Sequence, residues 1–331
     1  MIRSSAPTRV DLAGGTLDIW PLHLFFDNPP TLNAAINLYA TVELTPRKDK
    51  RIVVQSKDLN LKADFPSLDA FPKKHALDLI LKTVAFYSPK KGLDVTTDCQ
   101  APAGSGIGGS SALNIALHGA LNALMGHRYP KSQLPEIAKN IETQVISVPA
   151  GWQDYFPALY GGALAVRPGV LGVEFSRIRR SLDAMTGRFV LCYTGKPRQS
   201  GINNWKVVKD ALDGNKKTIG YLKKIQQAAL HMEEVLLNGP LERLAPVFAA
   251  EWKARKALAP GISTPEMDRL IRSAMKRGAL AAKVCGAGGG GCVAFFVAKD
   301  RKSEVQDALS KQGAKVLDFR FVNRGLRVQT H

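Results

Sequence analysis

Alternating apolar and polar positions over residues 2–10 and 34–44 predict two strands at the head of the chain. A shorter alternation over 51–55 predicts a third, paired back across the charged turn of Arg47, Lys48, Asp49 and Lys50. Leu77, Ile80, Leu81, Val84 and Ala85 then recur at helical spacing and predict a helix over 76–87. Residues 92–98 read as a strand feeding a glycine-rich loop, and 113–124 return to the helical period. A helix over 134–143, an irregular stretch over 147–154 and a strand over 160–166 follow. The pattern restarts near Gly187 with a buried strand over 188–194. Helical spacing returns over 221–238, 241–256 and 265–277, the last opened by the capping run Ser263, Thr264 and Pro265 with Glu266 close behind. A second glycine loop at 286–291, a buried strand over 292–298, a helix over 302–312 and a strand over 315–323 complete the chain. Strands and helices alternate without a regular repeat, which predicts an α+β protein of two domains joined near residues 168–187.

Composition narrows the class. The 331 residues suffice for an ample core, and 45% hydrophobic with 22% charged residues is ordinary for a soluble protein. The longest apolar run, residues 292–298, is too short to span a bilayer, and no charged-then-apolar leader opens the chain, so a cytoplasmic location and no membrane partner are expected. Cys99, Cys192, Cys285 and Cys292 lack C-x-x-C spacing and read as core residues rather than redox or metal groups. The formal charge of +18, from 46 basic and 28 acidic residues, is scattered without interleaved aromatics. It favours small anionic ligands over nucleic acid.

Candidate chemistry concentrates in residues 102–112. Pro102, Gly104, Ser105, Gly106, Ile107, Gly108, Gly109, Ser110 and Ser111 lead directly into a helix. Glycines let backbone approach an anion, and the helix start offers unpaired N–H groups at the positive end of its dipole. The spacing Gly104-x-Gly106-x-x-Gly109 also matches a dinucleotide fingerprint, but the first acidic residue beyond it is Glu136, too far along. A Walker A loop is excluded because no lysine follows the glycines. A nucleoside triphosphate is the expected ligand.

Two companions stand in order around this loop. Arg9, Gly14, Gly15, Thr16 and Asp18 surround a glycine turn near the start, and Lys283 to Val293 holds the second glycine loop. Between them lies Gly151, Trp152, Gln153 and Asp154, followed by Tyr160, Gly161 and Gly162. Together these resemble the GHMP kinases, a family of ATP-dependent small-molecule kinases, over nearly the whole chain. The segments from Glu251 to Leu258, Ile262 to Asp268 and Gly278 to Gly291 resemble most its branch acting on D-glycero-D-manno-heptose 7-phosphate, itself similar to fucose and glucuronate kinases.

The resemblance implies an N-terminal domain like ribosomal protein S5 over 1–175 and a ferredoxin-like C-terminal domain over 176–331, with the active site between them. It implies ATP and Mg²⁺ as cofactors and a sugar or sugar phosphate as partner, in a monomer or homodimer. Asp154 matches the catalytic base and Arg9 the arginine that supports it. Asp18, with Gly14, Gly15 and Thr16, matches the substrate turn, and Gly288 and Gly289 would close over substrate. Asp11 reads as structural. Ser110 and Glu142 match the metal contacts, although Ser111 could exchange roles with Ser110. Tyr155 stands where relatives often carry glutamine. Lys196 and Arg198, in the segment from Tyr193 to Ser200, either meet a substrate phosphate or belong to a solvated loop. The implied activity is phosphorylation of a sugar hydroxyl, the anomeric one of a heptose 7-phosphate, with a free hexose or hexuronate as alternative acceptor. Isoprenoid kinases and a non-catalytic nucleotide- or nucleic-acid-binding protein are competing readings.

Overall fold

The computed structural model describes residues 1–198 and 202–330. Its first half holds strands β1 (Ile2–Ala13), β2 (Thr31–Pro46), β3 (Ile52–Ser56), β4 (Leu61–Phe65), β5 (Leu93–Cys99), β6 (Ala163–Gly169) and β7 (Gly172–Arg177). Helices α1 (Leu22–Phe25), α2 (Asp78–Tyr87), α3 (Gly109–Leu124), α4 (Leu134–Ile146) and α5 (Tyr155–Tyr160) lie among them. The second half holds α6 (Leu182–Gly187), β8 (Phe189–Tyr193), α7 (Ile202–Leu212), α8 (Lys216–Asn238), α9 (Leu244–Lys256) and α10 (Pro265–Met275). It ends with β9 (Ala279–Val284), β10 (Cys292–Val297), α11 (Lys302–Lys311), β11 (Lys315–Leu317) and β12 (Arg327–Thr330).

The first sheet runs β12-β1-β2-β5-β3-β4, with β6 and β7 extending from β2. The expected pairing of 51–55 with the preceding strand does not form. β5 inserts between β2 and β3, antiparallel to the first and parallel to the second. Local bonds hold this insertion: Arg47 donates to Asp49 and Asp94 at 2.8 Å, and the Gly92 N–H donates to Asp49 O at 2.7 Å. Ala- and Leu-rich α3 lies behind this sheet, with Ala112, Ile115, Ala116, Leu117, Ala120 and Leu121 all buried.

The second sheet runs β11-β8-β10-β9, all antiparallel. Strand, helices, hairpin, helix and strand in that order make the split βαβ arrangement of a ferredoxin-like unit, as expected. The sequence boundary at residue 175 divides the chain differently from the sheets. It falls inside β7, which pairs with β6 along its whole length. Beyond β11 the chain leaves the second sheet, bridges Phe321 to Ile36, and lays β12 against β1 from Ile2↔Thr330 to Ser5↔Arg327. The strand expected over 315–323 therefore stops at Leu317, because Phe319 and Phe321 turn into the core between the halves. There Phe189 meets Phe248, Phe296 and Phe321 edge to face at 5.3–5.9 Å. Each such pair contributes about 1 kcal/mol beyond its buried area. This core joins Val10, Leu12, Leu32 and Ile36 of the first sheet to α8, α9 and the second sheet, so the cleft between the halves has a packed floor.

Candidate active site

A cavity of about 400 Å³ opens where the two halves meet, within the ordinary range of small-molecule sites. One wall is the first glycine loop. Gly104, Gly106 and Gly108 have φ of +67°, +77° and +76°, and Gly108 caps α3 with no side chain bonded to the helix start. No acidic residue stands in the first turn of α3. Its amides therefore remain available to an anion. Pro102, Gly104, Ser105, Gly106, Gly108, Gly109, Ser110 and Ser111 line the cavity. Ile107 turns instead into the core, and its carbonyl accepts the Arg9 N–H at 3.0 Å.

Arg9 ties this loop to Asp154. Its side chain is 1% exposed; Nη1 donates to Gly106 O at 2.8 Å, and Nε and Nη2 donate to Asp154 Oδ1 at 2.8 and 2.5 Å. Burial pulls the Arg9 guanidinium down, but Asp154 and Asp11 hold it above its ordinary value. Asp154 stands at the start of α5, its carboxyl beside Gly108, and among the described residues no donor reaches Oδ2.

Glu142 projects from α4 and is buried. Ser110 Oγ donates to its Oε1 at 2.6 Å; Ser111 Oγ and Tyr155 Oη donate to Oε2 at 3.0 and 2.7 Å. Burial pushes the Glu142 carboxyl up, and the Ser110 and Tyr155 bonds pull it back. Ser110 is exposed and Ser111 buried, yet both line the cavity and both support Glu142. Tyr155 thus orients Glu142. No group of three His, Cys, Asp or Glu side chains among the described residues is placed to hold a metal ion. One carboxylate and one exposed hydroxyl suit Mg²⁺, which keeps phosphate and water ligands, better than a metal requiring a full protein cage.

At the other end, Asp18 is wholly buried. Its Oδ2 accepts the backbone N–H groups of Trp152 and Gln153 at 2.5 and 2.8 Å, while Oδ1 has no partner among the described residues. Burial pushes its carboxyl up to about 6, against the pull of the Gln153 and Trp152 amides. Gln153 Oε1 is likewise buried without a donor among the described residues. Thr16 and Asp18 line the cavity, whereas Gly14 and Gly15 lie behind them. Gly288 and Gly289 do not reach the cavity either; Gly286 and Ala287 represent the second loop there. The Gly289 N–H donates to Ile262 O at 3.0 Å, facing the second half.

Arg198 enters from the second half, and its Nε has no partner among the described residues. Burial lowers its pKa, and Asp154 opposes that shift. Lys196 lies outside, paired with Glu266 at 2.9 Å and largely exposed. Gln199 and Ser200 of the same segment lie outside the described residues. Asp11 is structural, paired with wholly buried Lys283 at 2.6 Å. Arg255, which also lines the cavity, carried no role in the sequence reading. Its place in a basic stretch of α9, with Lys253 and Lys256, gave no sign that it turns inward.

This arrangement has counterparts. The sequence pattern of the GHMP kinases N terminal domain matches residues 73–162, and that of the GHMP kinases C terminal matches residues 232–315. The D-glycero-alpha-D-manno-heptose 7-phosphate kinase of Campylobacter jejuni is 29% identical over 98% of each chain. An L-fucokinase/L-fucose-1-P guanylyltransferase of Bacteroides fragilis is 27% identical over 91% of this chain and 35% of its own length. The crystal structure of a D-glycero-D-manno-heptose 1-phosphate kinase from Bacteroides thetaiotaomicron superposes with a TM-score of 0.81 at 25% identity, covering 100% of this chain and 99% of that one. Matched by the family's two patterns in their order, and along its length by a kinase of the same two-domain architecture, this chain belongs to the GHMP kinase family.

Proposed function

We propose that this protein transfers the γ-phosphate of ATP to a sugar hydroxyl, the anomeric C1 hydroxyl of a heptose 7-phosphate. The observation that carries the reading is the join made by Arg9: one guanidinium holds both the anion-binding loop at Gly106 and the carboxylate of Asp154. Asp154 lines the cavity with Oδ1 held by Arg9, which leaves Oδ2 to accept the acceptor hydroxyl proton as the new O–P bond forms and the bond to the ADP oxygen breaks. The anomeric hydroxyl is more acidic than an ordinary alcohol, which suits a carboxylate base. Arg9 and Arg198 flank the reacting groups with positive charge. Asp18 Oδ1 and Gln153 Oε1 are buried acceptors without donors among the described residues, and the hydroxyls of a sugar supply such donors. Mg²⁺, when bound, offsets the charge of the β- and γ-phosphates. Ser110 Oγ and Glu142 Oε1 are the groups that would hold it. A cytoplasmic location agrees with this chemistry, and no helix among the described residues is long and apolar enough to cross a membrane.

One observation favours a second reading, an unphosphorylated hexose or hexuronate. Among the described residues the cavity is lined by three cationic side chains, Arg9, Arg198 and Arg255. Arg9 and Arg255 are already bonded within the protein. ADP release with ATP and Mg²⁺ decides between them on a panel of heptose 7-phosphates, free hexoses, hexuronates and mevalonate. Turnover confined to phosphorylated heptose, with phosphorus NMR placing the new group on C1, supports the first. Turnover of mevalonate alone removes the sugar reading.

A further inference from the structure

Thr16 adopts φ +77°, a left-handed conformation that a β-branched residue seldom takes. It occupies the turn that carries the chain from β1 to Asp18. The turn's own backbone bonds, Leu17 N–H to Gly14 O and Ile19 N–H to Thr16 O, are both 3.2 Å long. The stronger hold comes from the other half of the molecule. Arg255 Nη2 donates to Gly15 O at 2.8 Å and Nη1 donates to Thr16 Oγ1 at 3.1 Å. Arg255 is itself fixed by Glu251, one helical turn earlier on α9, through Nε at 2.8 Å and through Nη2. Glu251 lies 3.7 Å from Lys283 of β9, which pairs with Asp11 of β1 at 2.6 Å.

These four buried charges, two of each sign, link β1, α9 and β9 directly behind the substrate turn. Burying such a set is costly and seldom adds stability over apolar packing. A residue held in a sparsely populated conformation persists when its surroundings over-determine it, and such positions cluster at functional sites. A guanidinium suits this task because its planar fork addresses the Gly15 carbonyl, the Thr16 hydroxyl and the Glu251 carboxylate at once.

We propose that Arg255 is a positioning residue for the acceptor sugar: by holding Gly15 and Thr16 in the left-handed turn, it presents the free Oδ1 of Asp18 to a substrate hydroxyl. The inference rests on the sugar-kinase reading above. It assigns α9 of the second half a part in acceptor recognition, separate from the phosphate machinery at Gly106 and Ser110.

The test compares Arg255→Lys, Thr16→Gly and their combination, by ADP release with the sugar that the wild type turns over and by thermal unfolding. Lysine keeps the charge beside Glu251 but presents one ammonium, which cannot hold both contacts. Glycine accepts the positive φ freely but lacks the hydroxyl. Each single change is expected to raise the sugar KM about tenfold, the scale of one lost charge-assisted hydrogen bond. ATP KM stays within about twofold, since uniform loosening is not involved. The double variant is no worse than the poorer single, because the contact that Thr16→Gly removes is among those that Arg255→Lys already disrupts. Thr16→Ser, which keeps the hydroxyl, recovers most of the loss caused by Thr16→Gly. An unchanged sugar KM in Thr16→Gly overturns the proposal even if Arg255→Lys fails to fold. So do effects that multiply in the double variant, or sugar and ATP KM values that rise together. Wild-type silence on every sugar removes the parent reading instead, whereas wild-type turnover with unaffected variants removes this inference alone.

Discussion

The two glycine loops look alike in sequence and do different work in the fold. Residues 104–109 end in a 16-residue helix whose first amides are uncapped, and Arg9 and Asp154 stand against them. Residues 286–291 join two antiparallel strands, β9 and β10, and no helix follows directly. The first loop needs glycine partly because of the second: a Cβ on Gly106 would lie 2.5 Å from Cys285 O. The second needs glycine for packing of its own: a Cβ on Gly288 would lie 2.4 Å from Ile262 O. The loops are stitched together by the Cys292 N–H donating to Ser105 O at 2.7 Å. Glycine density therefore marks close backbone approach in both places, but anion chemistry belongs where a helix dipole and polar side chains converge.

The sharpest way to break this contrast is Asp154→Asn. It should lower kcat by about 10³-fold while ATP binding, followed by titration calorimetry, is retained. Normal turnover in that variant would strip the first loop of its catalytic partner. Next in size, Glu142→Gln should weaken the apparent affinity for Mg²⁺ by about 10- to 100-fold, read from initial rates at fixed ATP across a Mg²⁺ series. An unaltered Mg²⁺ dependence would separate Glu142 from the metal.

Asp18→Asn probes the turn facing both loops, and its sign follows from burial. The Asp18 carboxyl is raised to about 6 in the folded protein. The unfolded chain releases that proton near pH 4, so the native state loses stability as pH rises from about 4 to 6. The full penalty at neutral pH is about 3 kcal/mol, from a shift of about 2 units. Asparagine keeps an acceptor for the Trp152 and Gln153 amides without the buried charge. The variant should gain thermal stability at pH 7.5 but little at pH 4.5, while its sugar KM rises about tenfold or more. Equal Tm changes at the two pH values would contradict the burial argument.

Smaller in effect on affinity is the direct comparison of the loops. Gly106→Ala and Gly288→Ala each force a Cβ against a carbonyl at positive φ and should each cost about 1–3 kcal/mol of stability. Gly106→Ala should also weaken ATP binding, whereas Gly288→Ala should leave its Kd nearly unchanged. Equal losses of ATP affinity would erase the distinction. Smallest of all, Lys196→Ala should keep kcat/KM within about twofold, as for an exposed surface pair.

Much of the fold was legible along the chain because period and punctuation are local. The helical spacing from Leu77 to Ala85, the loop running into α3 and the Thr264–Pro265 cap all mark structural elements there; the Thr264 hydroxyl accepts the Met267 N–H at 3.2 Å. Short or interrupted elements were not legible. β4, β7 and α7 carry too little periodic signal. The insertion of β5 between β2 and β3 depends on pairing that no local pattern encodes.

The sequence by itself determined which residue types could do chemistry: a glycine loop with two serines, Arg9, Asp18, Glu142 and Asp154, set at spacings that matched a known family. The tertiary structure alone decided how they are arranged. It turned Gly288 and Gly289 away from the cavity and brought Gly286 and Ala287 into it. It made Tyr155 a support for Glu142 and drew Arg255 across 240 positions of chain onto Gly15. The physical reason is range. Backbone preference and amphipathic period act over a few residues, whereas hydrogen-bond partners for buried charges are chosen by whichever distant segments share the core.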